Sequence, residues 1–280
     1  MVSSKLELDD VVAAALHEDL GDGDVTTRYV VGPDLVGEAR IFARSPGVLS
    51  GAAAAARVFE MVQPPCEYHE IAHEGAHLDG GDEVAAIVGP LGSILTAERT
   101  ALNFLQRLSG IATLTRRYAD ALSVYDNVTL LDTRKTTPGL RSLERAAVRA
   151  GGGHNHRAGL WDAILIKDNH VAAAGGVAAA VKRARNAAMP VEVEVDTLAQ
   201  LEEALAAGAE IVLLDNMSPD EMRRAVEIGA GRAQLEASGG MTLEGAVAAA
   251  KAGVDRISVG ALTHSAPALD LSLEVTRTWR

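Results

Sequence analysis

The sequence predicts an α/β fold whose larger part is built from repeated βα units around a parallel sheet. After Val128, six short apolar runs alternate with alanine-rich helical patterns, which is typical of parallel α/β architecture. The runs are VTLLD, AILIKD, VEVEVD, IVLLDN, AQLEAS and RISVG. Six strands are too few for a complete eightfold barrel. We therefore expect a smaller or irregular α/β barrel.

The residues before Val128 predict a different organisation. Residues 7–19 are predicted to form an amphipathic helix, and an alanine-rich helix is predicted from Gly51 to Met61. Alternating patterns predict strands in GEARIFAR, GVLSG and EYHEIAHEG. The longest helical pattern runs from Ile94 to Ala121. The closing segment LDLSLEVTRTW alternates like a strand, and we expect it to return to the N-terminal domain.

Composition and charge exclude several classes of function. The formal net charge is −12, which argues against a nucleic-acid partner, because phosphate binding needs a positive surface. No apolar run approaches the roughly 20 residues that cross a bilayer, and the first ten residues lack the apolar core of a secretory signal. The single cysteine, Cys66, excludes an internal disulfide. These features predict a cytoplasmic protein with no membrane partner.

One segment departs from this acidic balance. Between Asp132 and His170 the sequence has seven Lys or Arg against four Asp or Glu, and an anionic ligand is the simplest reason for such a local excess. Three of the cations recur every four residues and are expected on the wet side of a helix: Arg141, Arg145 and Arg149. The others lie in turns or at strand ends: Arg134, Lys135, Arg157 and Lys167. Such arginines and lysines bind carboxylates or phosphates.

Polar residues or glycines close every predicted strand of the parallel sheet. Because the active site of such folds forms at the carboxyl ends of the strands, these residues are expected in one mouth. Glu194 and Asp215 end neighbouring strands and suit a magnesium-bound pyrophosphate or ribose hydroxyls. The sequence 238–240, Ser-Gly-Gly, precedes a helix that begins near Thr242, and Gly260 lies in the next loop. This is the usual place of a phosphate cradle.

Arg99 occupies an unusual place in the longest helical pattern. It lies four residues after Leu95 and three before Leu102, which puts it on or beside the apolar face. An arginine there is costly unless it is paired. One interpretation is an internal ion pair or a side chain whose stem lies along the apolar surface. The other is an anion supplied by a ligand or by another subunit.

Three ordered motifs lie in the cationic segment: DTRKTTPGLR (132–141), GGGHNHR (151–157) and LIKDNH (165–170). They resemble quinolinate phosphoribosyltransferases, the decarboxylating enzymes of NAD synthesis. Further blocks extend the resemblance over nearly the full chain: EDLGDGDVTTR, AERTALNFLQRLSGIAT, EVEV, LLDN, EASGG and ISVGALTHSAPALDLSLE. The resemblance implies an N-terminal α/β sandwich domain over residues 1–112, joined by 268–280, and an α/β barrel domain over 113–267.

The resemblance also implies an obligate homodimer in which each barrel mouth is capped by the neighbour's N-terminal domain; further assembly of dimers is left open. The implied quinolinate ligands are Arg99 from the partner subunit, Thr133, Arg134, His156, Arg157 and Lys167. The residues implied for phosphoribosyl pyrophosphate are Lys135, Glu194, Asp215, Ser238, Gly239, Gly240 and Gly260. Its Mg²⁺ would meet Glu194 and Asp215 through water or substrate oxygens, and no organic cofactor is expected.

The expected reaction joins the ring nitrogen of quinolinate to ribose C1, releases pyrophosphate and then CO₂, and leaves nicotinate mononucleotide. The expected catalytic groups are Lys135, Lys167, Glu194 and Asp215. Two alternatives stay open. A phosphoribosyltransferase of the same fold could act on nicotinate or another anionic acceptor, although one carboxylate hardly requires so many cations. A non-catalytic barrel that binds a phosphate ligand would leave the pair Glu194 and Asp215 unexplained.

Overall fold

The computed structural model describes the backbone of residues 4–280 and the side chains of residues 8–280. The chain divides into two compact units. The first contains the residues up to Leu114 together with Thr137–Gly151 and Ala266–Arg280, and the second contains Thr115–Thr136 and Gly152–Ser265. The sequence did not predict that 137–151 would belong with the first unit. The domain boundaries expected at 112/113 and 267/268 stay a prediction.

The described residues form twelve strands and eleven helices. The strands are β1 Val36–Ala43, β2 Gly47–Val48, β3 Glu67–Glu70, β4 His77–Leu78, β5 Glu83–Pro90, β6 Thr129–Leu131, β7 Ile164–Ile166, β8 Val191–Val195, β9 Ile211–Asp215, β10 Gln234–Ser238, β11 Arg256–Ser258 and β12 Leu271–Trp279. The helices are α1 Ser4–Leu20, α2 Val25–Val30, α3 Ala52–Met61, α4 Leu91–Leu122, α5 Arg141–Ala150, α6 Asp168–Ala174, α7 Val177–Ala184, α8 Leu198–Ala206, α9 Pro219–Gly229, α10 Leu243–Ala252 and α11 Ala261–His264.

The first unit contains a four-stranded antiparallel sheet with the order β12-β1-β5-β3. Strand β1 alternates between half-buried and buried residues, and its inward residues Ala39, Ile41 and Ala43 are fully buried. Strand β12 pairs with β1 from Leu271 opposite Ala43 to Trp279 opposite Val36. The closing segment is therefore an edge strand of the sheet that contains β1.

Two helices supply much of the core of the first unit. Helix α3 is rich in alanine, the best helix former, and buries Val58 and Phe59. Its first backbone N–H groups, those of Gly51 and Ala52, donate to the carboxylate of Glu74 over 3.0 and 3.3 Å. On α4, the absence of a side chain at Gly110 lets the chain at 267–268 pass directly over the helix, where a Cβ would meet the backbone. Both helices were predicted.

The second unit contains a six-stranded parallel sheet with the order β6-β11-β10-β9-β8-β7. All six apolar runs predicted as strands are strands, which confirms the α/β class. Strands β6 and β7 lie at the two edges of the sheet as described. Helices α8 and α9 begin at capping boxes, in which Thr197 pairs with Gln200 and Ser218 with Glu221.

Two strand predictions were too long, and in GVLSG the strand β2 covers Gly47–Val48 alone. The run EYHEIAHEG was expected to be a single strand, but β3 ends at Glu70. The chain turns between Ile71 and Gly75, and Gly75 adopts a φ of 82° that L-residues rarely accept. None of the helices in the described chain, α4 with its 32 residues included, is apolar enough along its length to cross a bilayer.

Candidate active site

A cavity of about 490 Å³ opens in the second unit at the carboxyl ends of the parallel strands. It brings together eleven of the residues expected in the site: Thr133, Arg134, Lys135, His156, Arg157, Lys167, Glu194, Asp215, Ser238, Gly239 and Gly240. Asn216, which follows Asp215 at the end of the same strand, also lines the cavity, and four other lining residues were not singled out from the sequence: Leu165, Leu213, Glu236 and Ser258. Gly260 and Arg99 are described separately below.

The glycine pair after β10 forms one wall of the cavity. Gly239 and Gly240 have φ values of 96° and 52°. A Cβ atom on Gly239 would overlap the side chain of Asn216 and lie 2.8 Å from its backbone nitrogen. The helix that follows, α10, begins at Thr242, whose hydroxyl accepts from the N–H of Gly245 over 3.1 Å. This is the loop and helix start expected for a phosphate cradle.

Lys135 lies on the neighbouring loop, which is tied to β11 and α11. Its backbone N–H donates to Thr133 Oγ1 over 3.1 Å, and its carbonyl accepts from Thr263 Oγ1 over 2.8 Å. Gly260 lies directly beside this lysine, because a Cβ there would be 3.3 Å from Lys135 Cδ. The loop after β11 and the loop after β6 therefore meet at one edge of the site.

The two expected carboxylates end adjacent strands. Glu194 on β8 lies opposite Leu213 on β9, two residues before Asp215. Glu194 forms an ion pair with Lys167, and Asp215 accepts from the side-chain amide of Asn216 over 2.7 Å. The sequence had assigned Lys167 and Glu194 to different substrates, whereas the structure pairs them. Carboxylate oxygens at this position fit Mg²⁺, a hard cation that keeps several of its waters.

His156 lies between two buried carboxylates. Its Nε2 is 3.1 Å from Glu192 Oε2 and 3.4 Å from Glu236 Oε1. Burial alone would lower the pKa of His156, but hydrogen bonding to Glu192 and Glu236 more than offsets this and raises the pKa to about 9. Burial would raise the pKa of Glu236, yet His156 and Arg256 hold it below its usual value.

The other nitrogen of the same ring is also engaged. The backbone N–H of Arg157 donates to His156 Nδ1 over 2.8 Å. In this conformation Nδ1 is therefore an acceptor, and the ring carries its single proton on Nε2. This geometry opposes the second proton that the carboxylates favour, because an imidazolium could not accept from Arg157.

A third buried carboxylate fixes the turn that carries His156. Asp132 is completely buried and accepts from Asn155 Nδ2 over 2.6 Å and from the N–H of His156 over 2.7 Å. Arg157 donates from Nη1 to the carbonyl of Ala163 over 3.2 Å. Burial and the neighbouring charge of Arg134 lower the pKa of Arg157. An anion placed beside these two arginines would relieve their repulsion.

His156, Glu192 and Glu236 could in principle hold a metal ion, since one ligand atom from each lies within 4.8 Å of the others. The surroundings argue against this use. Arg256 Nε is 2.8 Å from Glu236 Oε2, so one carboxylate is already neutralised. The ring nitrogen that would bind the ion is the donor to the two carboxylates. The cluster is therefore better described as a hydrogen-bonded group.

Glu192 and Glu236 were not predicted as part of the site, although the sequence contains a signal. Side chains two residues apart on a strand point to the same face. Glu236 therefore shares a face with Ser238, and Glu192 shares one with Glu194. Both partners had been assigned to the mouth of the sheet. The same period of two could have placed Glu236 and Glu192 beneath them.

Arg99 lies on α4 in the first unit and is exposed. Its charge acts on the neighbouring Glu98. Burial raises the pKa of the Glu98 carboxyl, and the positive charge of Arg99 partly offsets this rise. Arg99 forms no ion pair of 4 Å or less with another described residue of its own chain. Within the described residues the ion pair of the first interpretation is not formed, and the alternative that the stem of Arg99 lies along the apolar surface stays a prediction. The interpretation that it meets a ligand or another subunit stays a prediction.

Comparison with protein-family models covers most of the chain. The model for the N-terminal domain of quinolinate phosphoribosyl transferase matches residues 24–109, and the model for the C-terminal domain matches residues 111–274. The chain belongs to the quinolinate phosphoribosyltransferase family. The resemblance seen in the sequence motifs is therefore confirmed.

Individual relatives of this quinolinate phosphoribosyltransferase family agree along the full length. The probable nicotinate-nucleotide pyrophosphorylase (carboxylating) of Bacillus subtilis is 44% identical over 274 residues, 97% of this chain and 94% of the relative. A quinolinate phosphoribosyltransferase (decarboxylating) of Nicotiana tabacum is 40% identical over 291 residues, 96% and 82% of the two chains. A solved nicotinate-nucleotide pyrophosphorylase from Francisella tularensis superimposes with a TM-score of 0.93 at 41% identity, covering 98% of both chains.

Proposed function

We propose that this chain transfers the phosphoribosyl group of phosphoribosyl pyrophosphate to quinolinate and removes one carboxylate as CO₂. The products are nicotinate mononucleotide and pyrophosphate, which places the reaction in de novo NAD synthesis. One observation carries the proposal. In a chain of this family, a single cavity is lined by four cations, a pair of carboxylates and a glycine-rich loop that leads into a helix.

The acceptor side of the cavity suits a dianion. Arg134, Arg157 and Lys167 line it together with Thr133. Two guanidinium groups close enough to lower the pKa of Arg157 would each gain from a carboxylate, because charge-assisted bidentate contacts are among the strongest hydrogen bonds in proteins. In this proposal Arg99 completes the site from the partner subunit. A direct contact from His156 stays a prediction.

The donor side suits a phosphorylated ribose. The 5′-phosphate would lie at the start of α10 beside Ser238, Gly239 and Gly240, where free N–H groups and the helix dipole favour an anion. Lys135 would neutralise the pyrophosphate, with Gly260 giving it room. Glu194 and Asp215 would face the ribose. Bound Mg²⁺, held by these two carboxylates largely through water and substrate oxygens, would offset charge on the pyrophosphate.

The first chemical step forms a bond from the quinolinate nitrogen to ribose C1 and breaks the bond from C1 to pyrophosphate. The bonding electron pair leaves with pyrophosphate, next to Lys135. Positive charge that develops on the ribose ring is stabilised by Glu194 or Asp215. Because these groups are fixed by strand ends, little reorganisation is needed as the charge appears.

The second step breaks the bond from ring carbon 2 to its carboxylate. The electron pair moves toward the ring, whose nitrogen is now a pyridinium and draws that charge. In this proposal Lys167, which lines the cavity, stabilises the resulting carbanion before a proton from water replaces CO₂. Its ion pair with Glu194 links the acceptor side to the donor side of the cavity.

We further propose a homodimer with a shared site, Mg²⁺ as the single cofactor, no organic cofactor and a cytoplasmic location. The test of the activity is pyrophosphate release from phosphoribosyl pyrophosphate with Mg²⁺, measured with quinolinate, with nicotinate and with neither. We expect release of pyrophosphate and CO₂ in equal amounts when quinolinate is the acceptor, and no release with nicotinate or without an acceptor. Release with nicotinate and no CO₂ would favour the transferase without decarboxylation. Tight donor binding without any release would favour a binding barrel.

A further inference from the structure

The contacts of His156 leave little for a substrate to use. Its Nε2 faces Glu192 at 3.1 Å and Glu236 at 3.4 Å, and its Nδ1 accepts from the backbone of Arg157 at 2.8 Å. The imidazole therefore joins two buried acids on the sheet to the main chain of a substrate-binding arginine. His156 is therefore an internal link between the sheet and the backbone of Arg157.

The carboxylate of Glu236, at the sheet end of this link, is held rigidly. Glu236 is completely buried on β10, a central strand of the parallel sheet. Its Oε2 accepts from Arg256 Nε over 2.8 Å on the adjacent strand β11. Its Oε1 faces Nε2 of His156 at 3.4 Å, and a hydrogen bond from Ser258 also helps to lower the pKa of this carboxyl. The carboxylate can therefore move little without losing Arg256.

We propose that Glu236 is a positioning residue for quinolinate, which acts through His156 to fix Arg157 in its binding conformation. The inference rests on the proposed function, because it concerns the acceptor side of that site. It gives His156 a different role from the direct substrate contact that the family motif implies. Glu236 itself would not touch the substrate.

A positioning role and a simple electrostatic role predict opposite signs. Glu236 is a negative charge close to the binding place of a dianion. If it acted only through space, removing its charge would strengthen quinolinate binding. If it fixes Arg157 through His156, a neutral side chain at this position holds the imidazole less firmly and leaves Glu192 as its single charged partner, so that Arg157 is less well positioned and binding weakens. The sign of the change therefore separates the two roles.

The experiment compares Glu236→Gln with Glu227→Gln, an exposed residue of α9 whose replacement changes the net charge equally. Quinolinate and phosphoribosyl pyrophosphate are each titrated by calorimetry, and KM and kcat are measured. We expect Glu236→Gln to weaken quinolinate binding about tenfold, because the neutral amide loses the charge-assisted contacts with His156 and Arg256. Donor binding, and both affinities of Glu227→Gln, should stay within about twofold.

A double-mutant cycle tests the route through Arg157. In an Arg157→Ala background the arginine can no longer be misplaced, so Glu236→Gln should have no further weakening effect. Tenfold weakening that persists in this background would overturn the proposal, as would tighter binding in the single variant. If Glu236→Gln does not fold, Glu236→Asp keeps the charge for Arg256 but withdraws it from the ring. It should weaken quinolinate binding equally, and unchanged binding would refute the role.

The wild-type protein separates this inference from the activity. Wild type that binds quinolinate while Glu236→Gln and Glu236→Asp bind it normally would remove the inference and leave the proposed function intact. Wild type that does not bind quinolinate would remove both. Thermal melting of each variant distinguishes a local change in affinity from partial unfolding.

Discussion

Arg157 illustrates how single residues define the acceptor side. It is half-buried, and its guanidinium has a lowered pKa because of burial and because of Arg134. Two cations held together in this way are unfavourable until an anion arrives. The backbone N–H of Arg157 donates a hydrogen bond to His156 Nδ1, and its side-chain Nη1 donates to the carbonyl of Ala163. The side chain is thus oriented before any ligand binds.

Replacing Arg157 by alanine should therefore affect one substrate much more than the other. We expect Arg157→Ala to weaken quinolinate binding by about 1.5–3 kcal/mol, the contribution of a charge-assisted contact. Affinity for phosphoribosyl pyrophosphate should change little. Arg183→Ala, on the exposed last turn of α7, is the matched control. Equal weakening of both substrates in a calorimetric titration would show that Arg157 does not belong to the acceptor side.

At the residue scale, the sequence revealed the cations and not the acids that hold them. Arg134, Lys135, Arg157 and Lys167 stood out because positive charge is unexpected in an acidic protein. Asp132 was noted at a strand end without its role being predicted, and Glu192 and Glu236 did not stand out, because acids are common in this chain. Their importance comes from complete or nearly complete burial, and burial of a charged group depends on the tertiary fold.

At the scale of elements, the loop after β10 depends on glycine for two reasons that can be separated. Gly239 has a φ of 96°, and a Cβ there would also strike Asn216. Gly231 has a φ of 73° and open space around it. An alanine at either position would suffer backbone strain. Of the two positions, only Gly239 is also one where an added Cβ would collide with the cavity wall.

We therefore expect Gly239→Ala and Gly231→Ala to lower the free energy of unfolding by about 1–2 kcal/mol each. Gly239→Ala should in addition raise the KM for phosphoribosyl pyrophosphate at least tenfold, because Asn216 and the loop must move. Gly231→Ala should leave this KM unchanged. A normal KM in the Gly239 variant would place the phosphate cradle elsewhere.

The start of α9 gives a pH-dependent prediction. The hydroxyl and backbone N–H of Ser218 both donate to Glu221, at 2.7 and 2.9 Å, and lower its pKa. A carboxyl whose pKa is lowered by folding stabilises the fold above its unfolded pKa and loses this effect as the pH falls. Glu221→Gln should lower the Tm at pH 7 and have little effect at pH 3. An equal loss at both values, or an equal loss in Glu227→Gln, would contradict this origin.

Elements were easier to predict than residues where the pattern was local. All six parallel strands and the long helix α4 followed from apolar periodicity, and the start of α10 followed from Thr242 after two glycines. Strand β3 was predicted too long, because the polar and apolar alternation continues past Glu70 while the backbone turns. Alternation alone does not contain the hydrogen-bond partner that a strand needs.

At the scale of the whole molecule, each compact unit is built from segments that are not consecutive in the sequence. The alternating pattern predicted that β12 is a strand but did not identify β1 as its partner, and the chain at 137–151 joined the first unit without any local signal. In the first unit, Glu144 is completely buried on α5 and accepts from Arg107 Nη2 over 2.8 Å and from the N–H of Thr137 over 3.1 Å. These contacts join residues far apart in sequence, and periodicity does not detect such pairs.

Arg99 leads to a prediction about assembly. It is exposed on α4 and has no ion pair within the described residues of its own chain, whereas Lys135 lines the cavity of the second unit. If Arg99 completes the acceptor site of a second copy, each active site needs Arg99 from one subunit and Lys135 from the other. We expect Arg99→Ala and Lys135→Ala each to be nearly inactive when assembled alone.

Co-refolding the two variants in equal amounts then tests the arrangement. A mixed dimer would contain one site with both residues intact and one site with neither. Random pairing makes about half of the dimers mixed, so activity should recover to about a quarter of that of the wild type. If Arg99 served its own chain instead, every site would lack one residue and no activity would return. Mass spectrometry must show the mixed dimers, because absence of rescue counts against the shared site only when they have formed.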